Sequence, residues 1–226
     1  MTNMHMSPRS CTVLAAAALA VAGFSVACAD TAAKFKPTAA NLKHFVLAQG
    51  DLPDGYKRDN WMVSRSPGGC GDLGGNPAAT RSYKRTLRAL GFRRCASASF
   101  SKEVRMPSDE ELTMELTGEY GSEAILMRDR QAAAKALPVV RRTLVKTFAR
   151  GDIEAHSIPA QGLGSEAPRG IQLTYELELF GKVTTSIYVW RRGPVVGWVI
   201  SGHPPDDPHG VRTLELARKI DSRIAG

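Results

Sequence analysis

The sequence predicts an α+β domain: an antiparallel sheet with a C-terminal three-stranded meander, and two or three helices packed on one face. Three observations carry that expectation. First, Ile171, Leu173, Tyr175, Leu177 and Leu179 alternate with Gln172, Thr174, Glu176 and Glu178, and two more extended runs follow at 183–190 and 195–200. Gly181-Lys182 and Gly193-Pro194 separate the three runs. Alternation marks half-buried strands, and short turns between them make antiparallel neighbours. Second, Ala133, Leu137, Val140, Leu144 and Phe148 recur at helical spacing. Third, Val211, Leu214, Ala217, Ile220 and Ile224 form another helical stripe near the C-terminus. Helices set apart from a meander define the α+β class.

Read in order, the chain opens with an export signature. Arg9 precedes an uncharged, Ala-rich apolar run at 12–26, and Ala27-Cys28-Ala29 closes it with small residues before Asp30. A basic start, an apolar core of roughly 7–15 residues and a small-x-small end define a secretory signal. The run is shorter and less apolar than the ~20 residues that span a bilayer. Two cuts fit. Ser25-Val26-Ala27-Cys28 resembles a lipobox, which would place a lipid on Cys28; Ala27-Cys28-Ala29 fits an A-x-A site, which would remove it. We expect a signal over 1–29, a small, polar, Pro-containing tether over 30–41 and a single domain over 42–226.

Within the domain, residues 42–49 read as a short helix or an extended entry, and Asp51-Leu52-Pro53-Asp54-Gly55 as a turn. Residues 61–64 suggest a strand, the Gly-rich 66–77 a loop, and 78–90 a helix closed by Gly91. An extended stretch covers 92–104, a turn 106–109, and strand-like runs 112–117 and 123–127 flank Gly118 and Gly121. Asp129 is placed to cap a helix reaching Arg150, which Pro138 should kink or break. A loop spans 162–170, and Asp207-Pro208 starts the last helix.

Four cysteines are present. Cys11 leaves with the signal, and Cys28 is lipidated or removed. Cys70 and Cys95 remain as an even pair in an oxidising compartment, so a disulfide is expected. It would close a loop of about 25 residues and stabilise the fold by about 3 kcal/mol on the chain-entropy account. A metal or redox pair fits poorly, since C-x-x-C spacing and a nearby His are absent.

The formal charge is +8, and removing 1–29, with Arg9 and no acid, leaves +7. Such a surface favours anionic envelope components, including a membrane reached through the lipid anchor. Nucleic acid is not an expected partner, because the basic residues are dispersed and aromatics sparse. Arg81, Lys84, Arg85 and Arg88 fall on one face of the 78–90 helix and form a candidate anion-binding stripe, with Leu87, Ala89 and Leu90 as the expected buried side.

Other polar groups read more simply. His203, Asp206, Asp207 and His209 could ligate a metal, but they also describe a polar turn whose Asp207 is used as a helix cap. Glu176 and Glu178 read as the solvent side of a strand. Gly162-Leu163-Gly164-Ser165-Glu166 is not G-x-S-x-G and lacks a strand-elbow-helix setting. Tyr188, Trp190 and Trp198 are expected in the core, although aromatics on an open sheet can line a pocket. No catalytic residue, metal ligand or cofactor is assigned.

Several segments together carry a resemblance: KHFVLAQGDLPDGY at 43–56, Ala89-Leu90-Gly91-Phe92 at a helix end, EAILMRDRQAAAKAL at 123–137, Gly162-Leu163-Gly164-Ser165-Glu166, VWRRGPVV at 189–196, and Leu216-Ala217-Arg218. These resemble the extracellular sensor domains of actinobacterial Ser/Thr receptor kinases and their stand-alone lipoprotein relatives. The resemblance implies a non-enzymatic domain with a sheet, packed helices and a ligand cleft. Those sensors often carry more than one disulfide; here Cys70 and Cys95 are the expected pair, and residues 1–226 show no kinase motif, so a direct signalling role is not expected. The expected function is a cell-envelope lipoprotein or secreted domain that senses or binds a small-molecule or protein ligand. The alternatives are an envelope hydrolase with a non-standard site and a structural wall-associated protein.

Overall fold

Residues 37–38, 40–65, 77–106, 114–148, 153–164, 168–177, 181–202 and 211–226 are described by a computed structural model, and all belong to one compact unit, Ala33–Gly226. The signal with Cys28, the segment carrying Cys70, Glu178 and the turn holding His203 to His209 lie outside the described residues.

Antiparallel pairing joins two meanders into one open sheet. The first comprises β1 (Lys57–Ser64), β2 (Phe92–Met106) and β3 (Met114–Met127); the second comprises β4 (Glu154–Ile158), β5 (Arg169–Leu177), β6 (Gly181–Arg192) and β7 (Val195–Gly202). They meet where β3 pairs with β7, giving the order β1-β2-β3-β7-β6-β5-β4. Helix α1 (Pro77–Ala89) is inserted between β1 and β2, α2 (Arg130–Phe148) links the meanders, and α3 (Val211–Ala225) follows β7.

The α+β class and the β5-β6-β7 meander are as the sequence predicts. The placement of helices on one face is corrected. Along β7, Val195 and Val199 pack with α3 residues Leu216, Ala217, Ile220 and Ile224. Val196, Trp198 and Ile200 pack on the opposite face with α1 residues Tyr83 and Leu87 and α2 residues Ala133, Ala136, Val140 and Leu144. Successive side chains of a strand point to opposite faces, so a strand buried along nearly its whole length needs cover on both. The central strands therefore behave as the middle layer of a sandwich of helices. Each large aliphatic side chain sealed there contributes about 1.5–3 kcal/mol.

Several local expectations change for identifiable reasons. Pro138 does not break α2, which runs unbroken from Arg130. Pro138 is exposed, so the carbonyl it deprives of a partner, four residues earlier, lies on the side open to water. Asp129 caps the helix as its position implies, its Oδ1 accepting the Ala132 N–H at 2.7 Å. The runs 112–117 and 123–127 belong to one strand, β3. Edge strand β4 was not anticipated: Glu-Ala-His-Ser-Ile has no alternation, and all five residues are at least partly exposed. The buried stripe of α3 is rotated from the expected one. Val211 is exposed, whereas Thr213 and Asp221 are buried; Thr213 donates to Ser201 Oγ at 2.7 Å, and Asp221 is paired with Arg192.

Glycine is required at two sites. Gly91 has φ +92° and closes α1, in the left-handed region that helix termini favour. At Gly197 a Cβ would stand 2.7 Å from the Trp190 indole. Trp190 is fully buried, so its ring cannot yield. We expect Gly197→Ala to cost about 1–3 kcal/mol, the range for overpacking a tight core, read as a lower urea midpoint with an unchanged slope. A shift below a few tenths of a kcal/mol would show that the ring relaxes freely.

Candidate functional site

Directly paired residues of neighbouring strands share a face, and three such rows set out a cleft on the face that α2 covers. One row runs Met62, Ser97, Glu123, Trp198, Val189; the next Asn60, Ser99, Gly121, Ile200, Ile187; the third Ser101, Glu119, Gly202, Thr185, Leu173. Small residues dominate the middle of these rows. Ser97, Ser99, Gly121, Thr185 and Gly202 line a cavity of about 560 Å³. Phe148 and Thr147, at the end of α2, form one wall, and Trp198, Ile200 and Tyr175 bring apolar surface. Gly121 helps keep the space open, since a Cβ there would meet Ile200 Cγ2 at 3.0 Å. A concave, largely apolar site with a few convergent polar groups is the usual form of a ligand pocket.

Behind the cleft lies a buried acid. Glu123 is 2% exposed and accepts a hydrogen bond from Trp198 Nε1 at 2.8 Å. Burial pushes its carboxyl up to about 8, and the indole hydrogen bond only partly offsets this. The group is therefore neutral at neutral pH. Nearby, burial and then the Glu123 charge push the Tyr83 hydroxyl well up. The bond from Trp198 to Glu123 fixes the indole that forms one side of the cleft, so Glu123 positions the wall without lining it.

Two further carboxylates stand at the mouth. Asp59 and Glu119 both line the cleft, and Ser101 Oγ donates to Asp59 Oδ1 at 2.6 Å. Burial, with a contribution from the negative Asp59, raises the Glu119 carboxyl.

The residues singled out from sequence are distributed differently. Arg81, Arg85 and Arg88 are exposed on α1 and Lys84 partly so, consistent with one outward stripe. The buried side of α1 is corrected: Thr80, Tyr83 and Leu87 supply it, while Ala89 is exposed. Cys95 is fully buried and lies opposite Ser64, the last residue of β1. Tyr188 and Trp190 lie in the core on the α3 side, and Trp198 bridges core and cleft. Glu176 is exposed on β5. None of these brings together a nucleophile and a base. Among the described residues no group of three or more His, Cys, Asp or Glu could hold a metal, and no helix is long and apolar enough to cross a membrane.

Sequence reasoning missed Asp59, Glu119, Glu123 and Thr185. A signal existed for Glu123: it falls at an inward position of a strand that otherwise reads Ala-Ile-Leu-Met. For the other three nothing distinguishes them from solvent-facing strand residues.

No family model and no curated protein matches the chain. Its fold is similar to that of the extracellular domain of PknH from Mycobacterium tuberculosis, with a TM-score of 0.52 at 9% identity. The likeness covers 83% of this chain and 96% of that one. The class defined by fold and site is thus an open antiparallel α+β sheet with helices on both faces and a cleft past the end of α2.

Proposed function

We propose that this protein is an exported, non-catalytic domain of the cell envelope that binds its ligand in the cleft over β2, β3, β7 and β6. The observation that carries this reading is the cleft floor. Five small residues from four adjacent strands leave about 560 Å³ uncovered beside Trp198 and Phe148, where large side chains would have completed the core. The likeness to an extracellular domain supports the compartment. The export signature at 1–29 supports the compartment independently. Among the described residues no His lines the cleft, and none stands beside its Ser–Asp contact to activate the hydroxyl as a base. This favours binding over an envelope hydrolase.

On this reading Cys28 carries the lipid, residues 30–41 tether the domain, and the α1 stripe of Arg81, Lys84, Arg85 and Arg88 faces anionic lipid or wall polymer. Exposed charges act over about 8–10 Å at physiological salt, so the stripe contributes once the tether holds the domain near that surface. Cys70 pairs with Cys95. Cys70 is six residues past Ser64, which sits opposite Cys95, a span the chain can close to the ~5.5–6 Å Cα separation of a disulfide. Mass spectrometry of protein recovered from the envelope checks these assignments together. We expect a lipid-modified N-terminal Cys28 and a mass two hydrogens below the reduced form. An unmodified N-terminus at Asp30 would favour the A-x-A cut, and alkylation of Cys70 and Cys95 without reduction would exclude the bond.

The binding role is tested by screening a fragment library against isotope-labelled protein. Shifts should cluster on the Trp198 indole N–H and the Gly121 and Gly202 amides. Hits confined to other surfaces would overturn the assignment of this cleft, and turnover of ester, amide or glycoside probes would favour the hydrolase.

A further inference from the structure

The cleft has a charge opposite to that of the protein around it. The chain carries +8, yet the described charged residues lining the cleft are Asp59 and Glu119. Among the described residues no Lys or Arg lines it. The neighbouring cations are turned away. Arg58, next to Asp59, lies over the Phe100 ring at 5.6 Å. Lys102, next to Ser101, lies over the Tyr56 ring at 5.7 Å and donates to the Asp54 carbonyl. Phe100 and Tyr56 belong to the core on the α3 side, so both cations serve the opposite face. Among the described residues no ion pair neutralises either mouth carboxylate, and burial together with the negative Asp59 raises the cost of ionising Glu119.

A second, independent feature points into the same space. Thr185 is 4% exposed and lines the cleft, and no described residue hydrogen-bonds its hydroxyl. The hydroxyl opens onto the cleft, so its donor and acceptor capacity is available to a polar group of a bound ligand. Ser97 and Ser99 add hydroxyls on the same floor. Trp198, Phe148 and Tyr175 supply apolar and aromatic surface alongside.

We infer that the cleft takes an organic cation, with an ammonium or similar donor at Asp59 and Glu119, a polar group at Thr185 and an apolar body against Trp198 and Phe148. This rests on the binding role proposed above and specifies its ligand class. The cation removes the repulsion between the two carboxylates, and its N–H groups meet acceptors that have no other cation. An anion at the same mouth meets two negative charges. The overall +8 therefore does not predict what this site binds: the basic surface can face the envelope while the cleft selects the opposite sign.

Three probes of one shape separate the possibilities: phenylbutylamine, phenylbutanol and phenylbutyrate, titrated at neutral pH into the complete mature protein with the Trp198 indole N–H as reporter. The amine should bind about tenfold more tightly than the alcohol, and the carboxylate should not perturb the reporter. Glu119→Gln with Asp59→Asn should bring the amine to the level of the alcohol, with the alcohol unchanged and the melting temperature retained. Thr185→Val should weaken amine and alcohol alike. If the alcohol binds as well as the amine, or the carboxylate binds best, the cation inference fails while the cleft remains a binding site. If none of the three moves the Trp198 signal, the cleft reading itself fails and the inference with it.

Discussion

Raising the pH from about 5 to about 8 should destabilise this protein by several kcal/mol, and Glu123→Gln should remove most of that loss. Glu123 is sealed on the α2 side of the sheet, and its carboxyl is raised from its ordinary 4.5 to about 8. Between those values the folded protein holds a proton on Glu123 that the unfolded chain has released. Stability then falls as pH rises, because the folded state binds more protons. The contribution is fully present below about 4.5, is lost progressively through the interval and levels off above about 8. Each pH unit is worth about 1.4 kcal/mol, so the rise from pH 5 to pH 8 amounts to roughly 4 kcal/mol. Glu119, also raised, adds a smaller effect of the same sign. Asp51 and Asp129, both lowered, act in the opposite sense and only at more acidic pH. Gln keeps an oxygen for the Trp198 N–H and cannot ionise, so the difference between wild-type and Glu123→Gln curves isolates this carboxyl. Urea midpoints at half-unit steps provide the measurement. Parallel curves from pH 5 to 8 would mean that Glu123 ionises inside the fold without penalty.

That residue also shows where reading the sequence stops. Strand identity was largely legible, because the β5, β6 and β7 patterns report directly on burial. The two-faced cover was not. It depends on Thr174, Thr185, Ser186 and Ser201 being buried, and a hydrophobic count assigns such residues to solvent. The same error rotated the α3 stripe: Thr213 and Asp221 point inward because Ser201 and Arg192 satisfy them, and those partners are distant in sequence. The cleft was invisible for a related reason. It is defined by small residues of four strands brought into line by cross-strand register, and no single strand signals that Ser99, Gly121, Thr185 and Gly202 will be neighbours. The Pro138 expectation failed because Pro138 lies off the buried stripe of Ala133, Val140 and Leu144, so the hydrogen bond it removes falls on the side open to water and the helix continues.

Asp221→Ala should cost about 3 kcal/mol, the lower end of the range for breaking a buried pair. Asp221 is 2% exposed on α3. Its Oδ1 accepts from Arg192 Nε at 2.7 Å, its Oδ2 from the other arm of the guanidinium, and Oδ2 also accepts the Gly164 N–H at 2.9 Å. One carboxylate thus ties α3 to the end of β6 and to the loop before β5. Asp51 is a second tie on the same helix, held by Lys219 and Arg223. The pairing holds the Arg192 guanidinium above its usual value. Alanine would leave that guanidinium without its counter-ion and the Gly164 N–H without its acceptor. The cost falls short of the upper limit because the Arg192 side chain is 31% exposed and can recover hydration on one side. Asp221→Asn keeps one acceptor and should lie between alanine and wild type. Adding Arg192→Leu to Asp221→Ala should cost less than the sum of the two single changes, since the double variant buries no unpaired charge. Chemical denaturation of the four proteins decides it. A loss below about 1 kcal/mol for Asp221→Ala, or additive single changes, would mean that apolar packing alone, through Leu216, Ala217, Ile220 and Ile224, holds α3 on the sheet.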